Sequence, residues 1–456
     1  MSKSIVVIGG DAAGMSAASK IKRELKGAEV IVLERGEHIS FSACGMPYWL
    51  GGVIESDDEL LVLTPDVARK KRGIDVRMHH EATAIDPGSK RVAVTNLDSG
   101  ESFELAYDKL VIATGASAMR PPIPGLDLPG VFTLRSLSDS QRIFAFMAEK
   151  QPTTAVVIGG GYIGIEMAEA LRERKIDVHV VEMLPQIMPN FDEDMVGEIT
   201  EHIRKKGVHL HLNTRVNAID GQGDRLQVQT SDALLAADMV LVSTGVRPNA
   251  ELARDAALKL GNSGAIWVDD HMCTSDADIY AAGDCVEYRH LVLDENVWIP
   301  LAPSANKSGR IAGDNISGGD VAFPGILGTA VVKVFDYTVS TTGLTESQAK
   351  ASGKFGRDGE GVGATVISAH DRAHYWPGAA KIKTKLVFNK RDGKVLGGQL
   401  VGMAGVNKRI DIVATAITAG MTVADMSMLD LSYAPPYSPV YDPVQVAANV
   451  AMKQVG

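Results

Sequence analysis

Two glycine-rich turns, each set between an apolar strand and a helix, restrict this chain more than any other feature. Ile5-Val6-Val7-Ile8 is a continuous apolar run, as expected of a buried parallel strand, and Gly9-Gly10-Asp11-Ala12-Ala13-Gly14 follows it. Met15–Leu25 reads as a helix. Val30-Ile31-Val32-Leu33 reads as a second strand that ends at Glu34, 20 residues after Gly14. The order returns at Ala155-Val156-Val157-Ile158 and Gly159-Gly160-Gly161-Tyr162-Ile163-Gly164. A helix over Ile165–Arg174 follows, then the strand Val178-His179-Val180-Val181 and Glu182, 18 residues after Gly164. The first glycine makes the tight turn, the helix N-terminus holds a pyrophosphate, and the acid accepts a hydrogen bond from a ribose hydroxyl. The first copy departs from the G-x-G-x-x-G pattern, because Asp11 stands where the middle glycine belongs. Two such units predict two dinucleotides, and electron transfer between them is the economical reason to bind both.

Glu182 bears on the second dinucleotide. A carboxylate there bonds the ribose hydroxyl of NADH and repels the extra phosphate of NADPH. Residues 183–186, Met-Leu-Pro-Gln, carry no base to welcome that phosphate. NADH is the expected donor, with NADPH as the alternative.

A single cysteine lies in a third stretch, Ser40-Phe41-Ser42-Ala43-Cys44-Gly45-Met46-Pro47-Tyr48. Pro47 suits the first turn of a helix, which puts Cys44 at or near a helix N-terminus. That setting predicts a thiolate, the species that attacks a disulfide or persulfide sulfur. The competing reading is a small buried hydrophobe. Of the other cysteines, Cys273 is read as an ordinary strand or surface residue and Cys285 as a packing residue. Three scattered cysteines give no disulfide framework and point to a reducing cytoplasm.

The chain of 456 residues has room for two or three domains. Its formal charge of -10 argues against nucleic acid as a partner. No apolar stretch approaches the roughly 20 residues of a membrane helix, so no membrane partner is expected. The opening residues form a strand-like run, not a secretory leader. Leu110-Val111-Ile112-Ala113-Thr114-Gly115 and Val240-Leu241-Val242-Ser243-Thr244-Gly245 each end a buried strand where the chain can cross between domains. A later strand, Ile279-Tyr280-Ala281-Ala282-Gly283-Asp284, can aim a carboxylate at a ligand hydroxyl. From about Phe323, Thr329–Phe335, Ala364–Ser368, Lys381–Phe388 and Val395–Val401 read as an antiparallel sheet, and Lys408–Ala419 as a helix. The Pro- and Tyr-rich stretch from Asp430 to Pro443 is stiff and extended.

These markers, with Tyr433-Ala434-Pro435-Pro436-Tyr437, resemble the flavin-dependent pyridine nucleotide-disulfide reductases over essentially the whole length. The resemblance is narrowest to the single-cysteine branch: coenzyme A disulfide reductase, polysulfide or persulfide reductase, and NADH oxidase and peroxidase. It implies an α/β fold with two Rossmann-like dinucleotide-binding domains and a C-terminal α+β dimerisation domain. The expected boundaries are 1–115 and 246–322 for FAD, 116–245 for NAD(P)H and 323–456 for dimerisation. It implies FAD on Gly9, Gly10, Asp11, Ala12, Ala13, Gly14, Glu34, Arg35, Ser42, Thr114, Gly115, Gly283 and Asp284. The nicotinamide cofactor falls to Gly159, Gly161, Tyr162, Ile163, Gly164, Glu166, Glu182 and Gly245, with Tyr162 covering the flavin.

The resemblance also implies a homodimer in which Tyr433 and Tyr375 reach the partner's Cys44. Coenzyme A, as substrate or bound ligand, falls to Lys20, Arg23, Ser40, Phe41 and Lys71. Ala12 stands where oxidases and peroxidases carry a histidine, which disfavours those activities. Ala43 replaces an asparagine common in the coenzyme A group. The expected function is FAD-dependent NAD(P)H reduction of coenzyme A disulfide, coenzyme A persulfide or polysulfide through Cys44. A water-forming NADH oxidase and a non-enzymatic flavin and thiol redox sensor are the alternatives.

Two further runs carry competing readings. Arg69-Lys70-Lys71-Arg72 is a solvated helix face or, with Lys20 and Arg23, a patch for coenzyme A phosphates. His370 and His374 have zinc-helix spacing, but the glutamate after the first histidine is missing, and no metal site is expected. The chain ends soon after Pro443, so no appended sulfurtransferase domain is expected.

Overall fold

The structure is a computed structural model and describes residues 3–223 and 225–456. Each glycine-rich turn leaves the central strand of a parallel sheet. In the first sheet the spatial order is Ile279–Ala281, Lys109–Ile112, Ser4–Ile8, Glu29–Glu34 and Asp75–Met78. All four pairings are parallel. In the second the order is Val208–His211, Asp177–Val181, Thr154–Ile158, Met239–Val242 and Val131–Thr133, again all parallel. The central strands are apolar throughout because both faces are covered; Ile5, Val6 and Val7 are fully buried, as are Ala155, Val156 and Val157. Each turn therefore opens at the point where strand order reverses, which is where open α/β sheets bind ligands.

Each unit also carries an antiparallel meander before its return strand. One is His80–Asp86, Arg91–Asn96 and Ser102–Ala106; the other is Val216–Gln222, Arg225–Thr230 and Leu234–Ala237. Sequence periodicity did not reveal them. Their tight turns and half-exposed faces give little apolar signal. The two crossings between units run side by side. Ala116–Ala118, on the way out, pairs antiparallel with Val246–Pro248 on the way back.

The C-terminal part is a five-stranded antiparallel sheet in the order Ala330–Val334, Tyr337–Gly343, Val395–Gly402, Lys381–Asn389, Val362–His370. Helices Val406–Thr418 and Pro443–Ala451 share a buried core with its strands. The sequence reading lacked Tyr337–Gly343, which a two-residue turn at Phe335 and Asp336 joins to the preceding strand. It also lacked the last helix. Pro443 suits that helix's first turn, and Asp442 caps it through Val444 N–H at 3.0 Å. Among the described residues no helix is long and apolar enough to cross a membrane.

Candidate active site

The two turns are built alike to within a few tenths of an ångström. A Cβ on Gly9 (φ +104°) would sit 2.2 Å from the Ala113 carbonyl oxygen, and one on Gly14 would sit 1.9 Å from that of Gly9. The corresponding distances are 2.3 Å from Ser243 for Gly159 (φ +108°) and 2.1 Å from Gly159 for Gly164. No side chain fits at these four positions. Glu34 accepts hydrogen bonds from Gly10 N–H (2.8 Å) and Gly36 N–H (2.7 Å). Glu182 accepts from Gly160 N–H (2.7 Å) and Leu184 N–H (2.9 Å). Each carboxylate is thus fixed at the end of its strand beside the turn. These cradles fit a dinucleotide in both units.

The middle position explains itself. Asp11 has φ -97° and ψ -154°, and Gly161 has φ -75° and ψ -172°. Both are extended backbone that any residue adopts, so aspartate is tolerated without strain. Its carboxylate turns to Phe41 N–H at 3.3 Å, and burial pushes it up to about 6. That rise lessens the charge it opposes to an anionic ligand at the turn. Ala12 and Ala13 open the helix Ala12–Glu24, whose backbone packs against Gly309 of the helix Ala302–Ile316. Arg35 lies outward and pairs with Glu81 at 3.5 Å.

Cys44 stands in the single turn Ala43–Gly45 that leads into the helix Met46–Gly51, with Pro47 in its first turn. Ser40 enters this segment with φ +47°, Phe41 bridges to Leu61, and Ser42 N–H bonds the Leu60 carbonyl at 2.8 Å. The short helix leans on the second unit. A Cβ on Gly51 would lie 3.2 Å from Ala170 Cα, and Trp49 stacks on Phe144 at 4.8 Å. Arg174 Nε donates to the Leu50 carbonyl at 2.9 Å.

The expected thiolate is corrected here. Cys44 keeps an exposed face, but desolvation by the surrounding walls pushes its thiol up, and Glu166, Asp284 and Asp11 add to the rise while Arg135 opposes it. The helix that follows is only six residues long, so the dipole at its N-terminus is small. The same account locates the sulfur, because it is close enough to feel carboxylates from both glycine-turn units. Cys273 is half-buried and Cys285 is buried, with Sγ near the Ile112 carbonyl at 3.6 Å.

Glu166, one turn into the helix Tyr162–Glu173, is pushed up to about 7 by burial and then by Glu169. Glu169 is itself bound by Lys333 and by Phe335 N–H at 2.6 Å, which ties this helix to the C-terminal sheet. Tyr162 packs edge-on against Phe191, and burial raises its hydroxyl to about 12. Ile163 is partly buried against the same core. Across the crossing, Asp284 pairs with Arg135 at 2.8 Å, and Arg135 Nε donates to the Ala116 carbonyl at 2.8 Å. Thr114, Gly115, Gly245 and Gly283 line this junction, the three glycines with φ of +68°, +111° and +91°. Arg135 was missed in the sequence, where a lone base before a Ser136 helix cap carries no signal.

Tyr375 and Tyr433 come together in the C-terminal part. The Tyr375 hydroxyl beside Tyr433 pushes the Tyr433 phenol up, and both rings line a cavity of about 310 Å³ with His370, His374 and Tyr441. They are 65% and 50% exposed, so the pair faces outward from its own chain. His370 ends a strand and His374 lies in a turn, which removes the helical zinc geometry. The basic patch is only partly free. Lys20 is held by Glu24 (2.8 Å) and Asp314 (3.1 Å), whereas Arg23 and Lys71 are exposed. Arg72 donates to Ser19 at 2.7 Å and so joins the two basic helices.

Comparison with known proteins agrees with this architecture. Residues 3–309 match the pyridine nucleotide-disulphide oxidoreductase model and 329–443 match its dimerisation domain. The chain is 40% identical to an NAD(P)H coenzyme A polysulfide/persulfide reductase of Pyrococcus horikoshii, over 99% of this chain and 98% of that one. It is 38% identical to an NADH oxidase of Methanocaldococcus jannaschii, over 99% of both. The structure of an NAD-dependent persulfide reductase from A. fulgidus superimposes with a TM-score of 0.95 at 44% identity, covering 99% of this chain and 83% of the other. With both family segments in order and full-length relatives at this identity, the chain belongs to the pyridine nucleotide-disulphide oxidoreductases.

Proposed function

We propose that this protein is a homodimeric, FAD-dependent reductase that uses NADH to reduce coenzyme A disulfide, coenzyme A persulfide or polysulfide at Cys44. One observation carries the reading: a single exposed thiol feels Glu166 beside the second glycine turn and Asp11 and Asp284 beside the first. When bound, FAD relays two electrons from the nicotinamide to the sulfur centre. In this reading the Gly9–Gly14 turn, Glu34 and Asp284 hold the flavin dinucleotide, and the Gly159–Gly164 turn and Glu182 hold the nicotinamide dinucleotide. Residues 1–115 and 246–322 form the first of these domains, 116–245 the second, and 323–456 the dimer interface. Arg23 and Lys71 offer charge to coenzyme A phosphates.

The sulfur chemistry follows from the Cys44 environment. Cys44–SH and R–S–S–R give Cys44–S–S–R and one RSH. Two electrons and two protons then return Cys44–SH and release the second RSH. In exchange the sulfur of lower pKa leaves faster. A raised Cys44 therefore stays on its partner while the substrate thiolate departs. The neutral mixed disulfide also avoids placing an anion near three carboxylates, which favours it as the resting form. The Tyr375–Tyr433 pair supplies a phenol to the leaving thiolate from the partner subunit.

Cys44→Ser is the direct test. The variant is expected to retain FAD and lose disulfide and polysulfide reduction, and mass spectrometry of unreduced wild type is expected to find a thiol adduct on Cys44. Turnover of coenzyme A disulfide by the variant would remove the assigned role. Ala12 offers no acid or base for oxygen chemistry. Stopped-flow reoxidation by oxygen should accordingly be slow beside that by the sulfur substrate. Rapid reduction of oxygen to water would move the protein to the oxidase reading, and absence of sustained turnover to the sensor.

A further inference from the structure

Three histidines and an aspartate meet on the second sheet, away from the thiol. The edge strand Val208–His211 pairs in parallel with Asp177–Val181, and the register sets His179 beside His209 and Val181 beside His211. Val178 and Val180 face the buried core that contains Ile165 and Ile199, so by alternation Asp177 and His179 face the other way, with His209 and His211 next to them. His209 Nε2 lies 3.1 Å from Asp177 Oδ1 and His179 Nε2 lies 3.8 Å from Asp177 Oδ2. Ligand atoms offered by Asp177, His179 and His209 all fall within 4.8 Å of one another.

We propose that Asp177, His179 and His209 form a divalent transition-metal site, with Zn²⁺ as its ion. Ligand atoms on a tetrahedral zinc with bonds of about 2.0–2.1 Å stand about 3.3 Å apart; His209 and His179 approach the two oxygens of Asp177 at 3.1 and 3.8 Å, so an ion would draw together three ligand atoms already within 4.8 Å of one another. Two imidazoles and a carboxylate select Zn²⁺ and its borderline neighbours over Mg²⁺ or Ca²⁺. His211 supplies orientation. Its Nε2 is 3.0 Å from His179 Nδ1, so a proton on His179 Nδ1 is donated there and the Nε2 lone pair is left toward Asp177. The side chains of Asp177 and His209 are half-exposed, which leaves a fourth position for water. Arg172, 3.9 Å from Asp177 and bonded to the Ile176 carbonyl at 2.8 Å, opposes the ion and limits its affinity. The competing account is a histidine stack hydrogen-bonded to Asp177, with ring centroids 4.6 and 5.3 Å apart.

The test uses the untagged full-length flavoprotein carrying Cys44→Ser, so that the exposed thiol does not compete. Titration with Zn²⁺ by calorimetry, and with Co²⁺ by visible difference spectra, is expected to give one saturable site per chain and a tetrahedral cobalt signature. His209→Gln, at an exposed position that does not threaten folding, is expected to weaken binding at least tenfold. Asp177→Asn should do the same. Zn²⁺ should raise the thermal midpoint of the parent protein and leave that of His209→Gln unmoved, because the ion clamps an edge strand to its neighbour. No saturable uptake by the parent, or uptake that His209→Gln retains, would overturn the site and leave the stack.

Discussion

Arg409 and Asp442 form a buried ion pair, 2.8 Å apart, with side chains only 7% and 8% exposed. The pair is fully engaged. Arg409 also donates to the carbonyls of Asp371 (2.7 Å) and Gly405 (3.1 Å), and Asp442 accepts from Ser438 Oγ (3.1 Å). Asp371 begins the loop that carries Tyr375, and Ser438 follows the segment that carries Tyr433. This guanidinium, together with the bond from Ala373 N–H to the Pro435 carbonyl at 3.2 Å, ties together the two segments that carry the phenols.

Breaking that pair should cost more than removing it. Arg409→Met leaves Asp442 buried and unpaired, a loss of about 3–5 kcal/mol. Arg409→Lys keeps the charge but not the fork that reaches both segments. The lysine variant is expected to fold, to be reduced by NADH at the wild-type rate, and to turn over the sulfur substrate at least tenfold more slowly. Stopped-flow measurement of the two half-reactions separates these outcomes.

Sharing of the site between subunits is testable by complementation. Mixed dimers of Cys44→Ser and Tyr433→Phe chains have one site with both lesions and one with neither if Tyr433 reaches the partner subunit's Cys44. Activity should then return to about half of wild type. A Tyr433→Phe homodimer should lose about 10²-fold or more, the usual contribution of a positioned proton donor. Low activity in the mixed dimer would assign Tyr433 to its own chain.

Cofactor choice should follow Glu182. Its carboxylate is held by two backbone N–H groups at 2.7 and 2.9 Å, and Met183 and Leu184 beside it are exposed and uncharged. A preference for NADH over NADPH of at least tenfold in kcat/KM is expected, about 1.4 kcal/mol in transition-state binding. Glu182→Gln should narrow the ratio chiefly by improving NADPH. Steady-state kinetics with both cofactors checks this.

Glu166 should give a pH-dependent stability. Folding raises its proton affinity from near 4.5 to about 7, so the folded chain holds more protons than the unfolded one between those values. Stability then falls as pH rises through this window and levels off above it. Glu166→Gln removes the effect. Thermal midpoints of the two proteins should nearly coincide at pH 4.5, and the variant should gain on the order of 3 kcal/mol at pH 8.

What the sequence revealed is what short-range chemistry dictates. Gly9, Gly14, Gly159 and Gly164 announce themselves because a side chain at each would strike the backbone of its own turn or of the adjacent return strand. Glu34 and Glu182 were legible because they end the next strand of the same unit. The thiol's environment was not, since its protonation depends on Glu166 and Asp284, more than 100 positions away in the chain. Arg135 and Arg409 were silent for the same reason, as their partners are supplied by distant segments. Asp177, His179 and His209 are unremarkable in order of sequence and meet only through parallel strand register.

The ribbon formed by Ala116–Ala118 and Val246–Pro248 has a modular consequence. Everything between those strands enters and leaves its host at one place, with both cut ends adjacent, like an insertion in a surface hairpin. A cassette exchanged at this place keeps the host chain's connections, and it must also reproduce the face that Ile165, Ala170 and Leu171 pack against Trp49, Leu50 and Val334. The ribbon does not act alone, because Gly51 against Ala170, Trp49 on Phe144 and Glu169 on Phe335 N–H hold the guest unit against its host while the register Val246–Ala118 and Pro248–Ala116 is kept. Donor specificity and sulfur chemistry are in this sense carried on two segments of chain that meet at one ribbon and share one packed face.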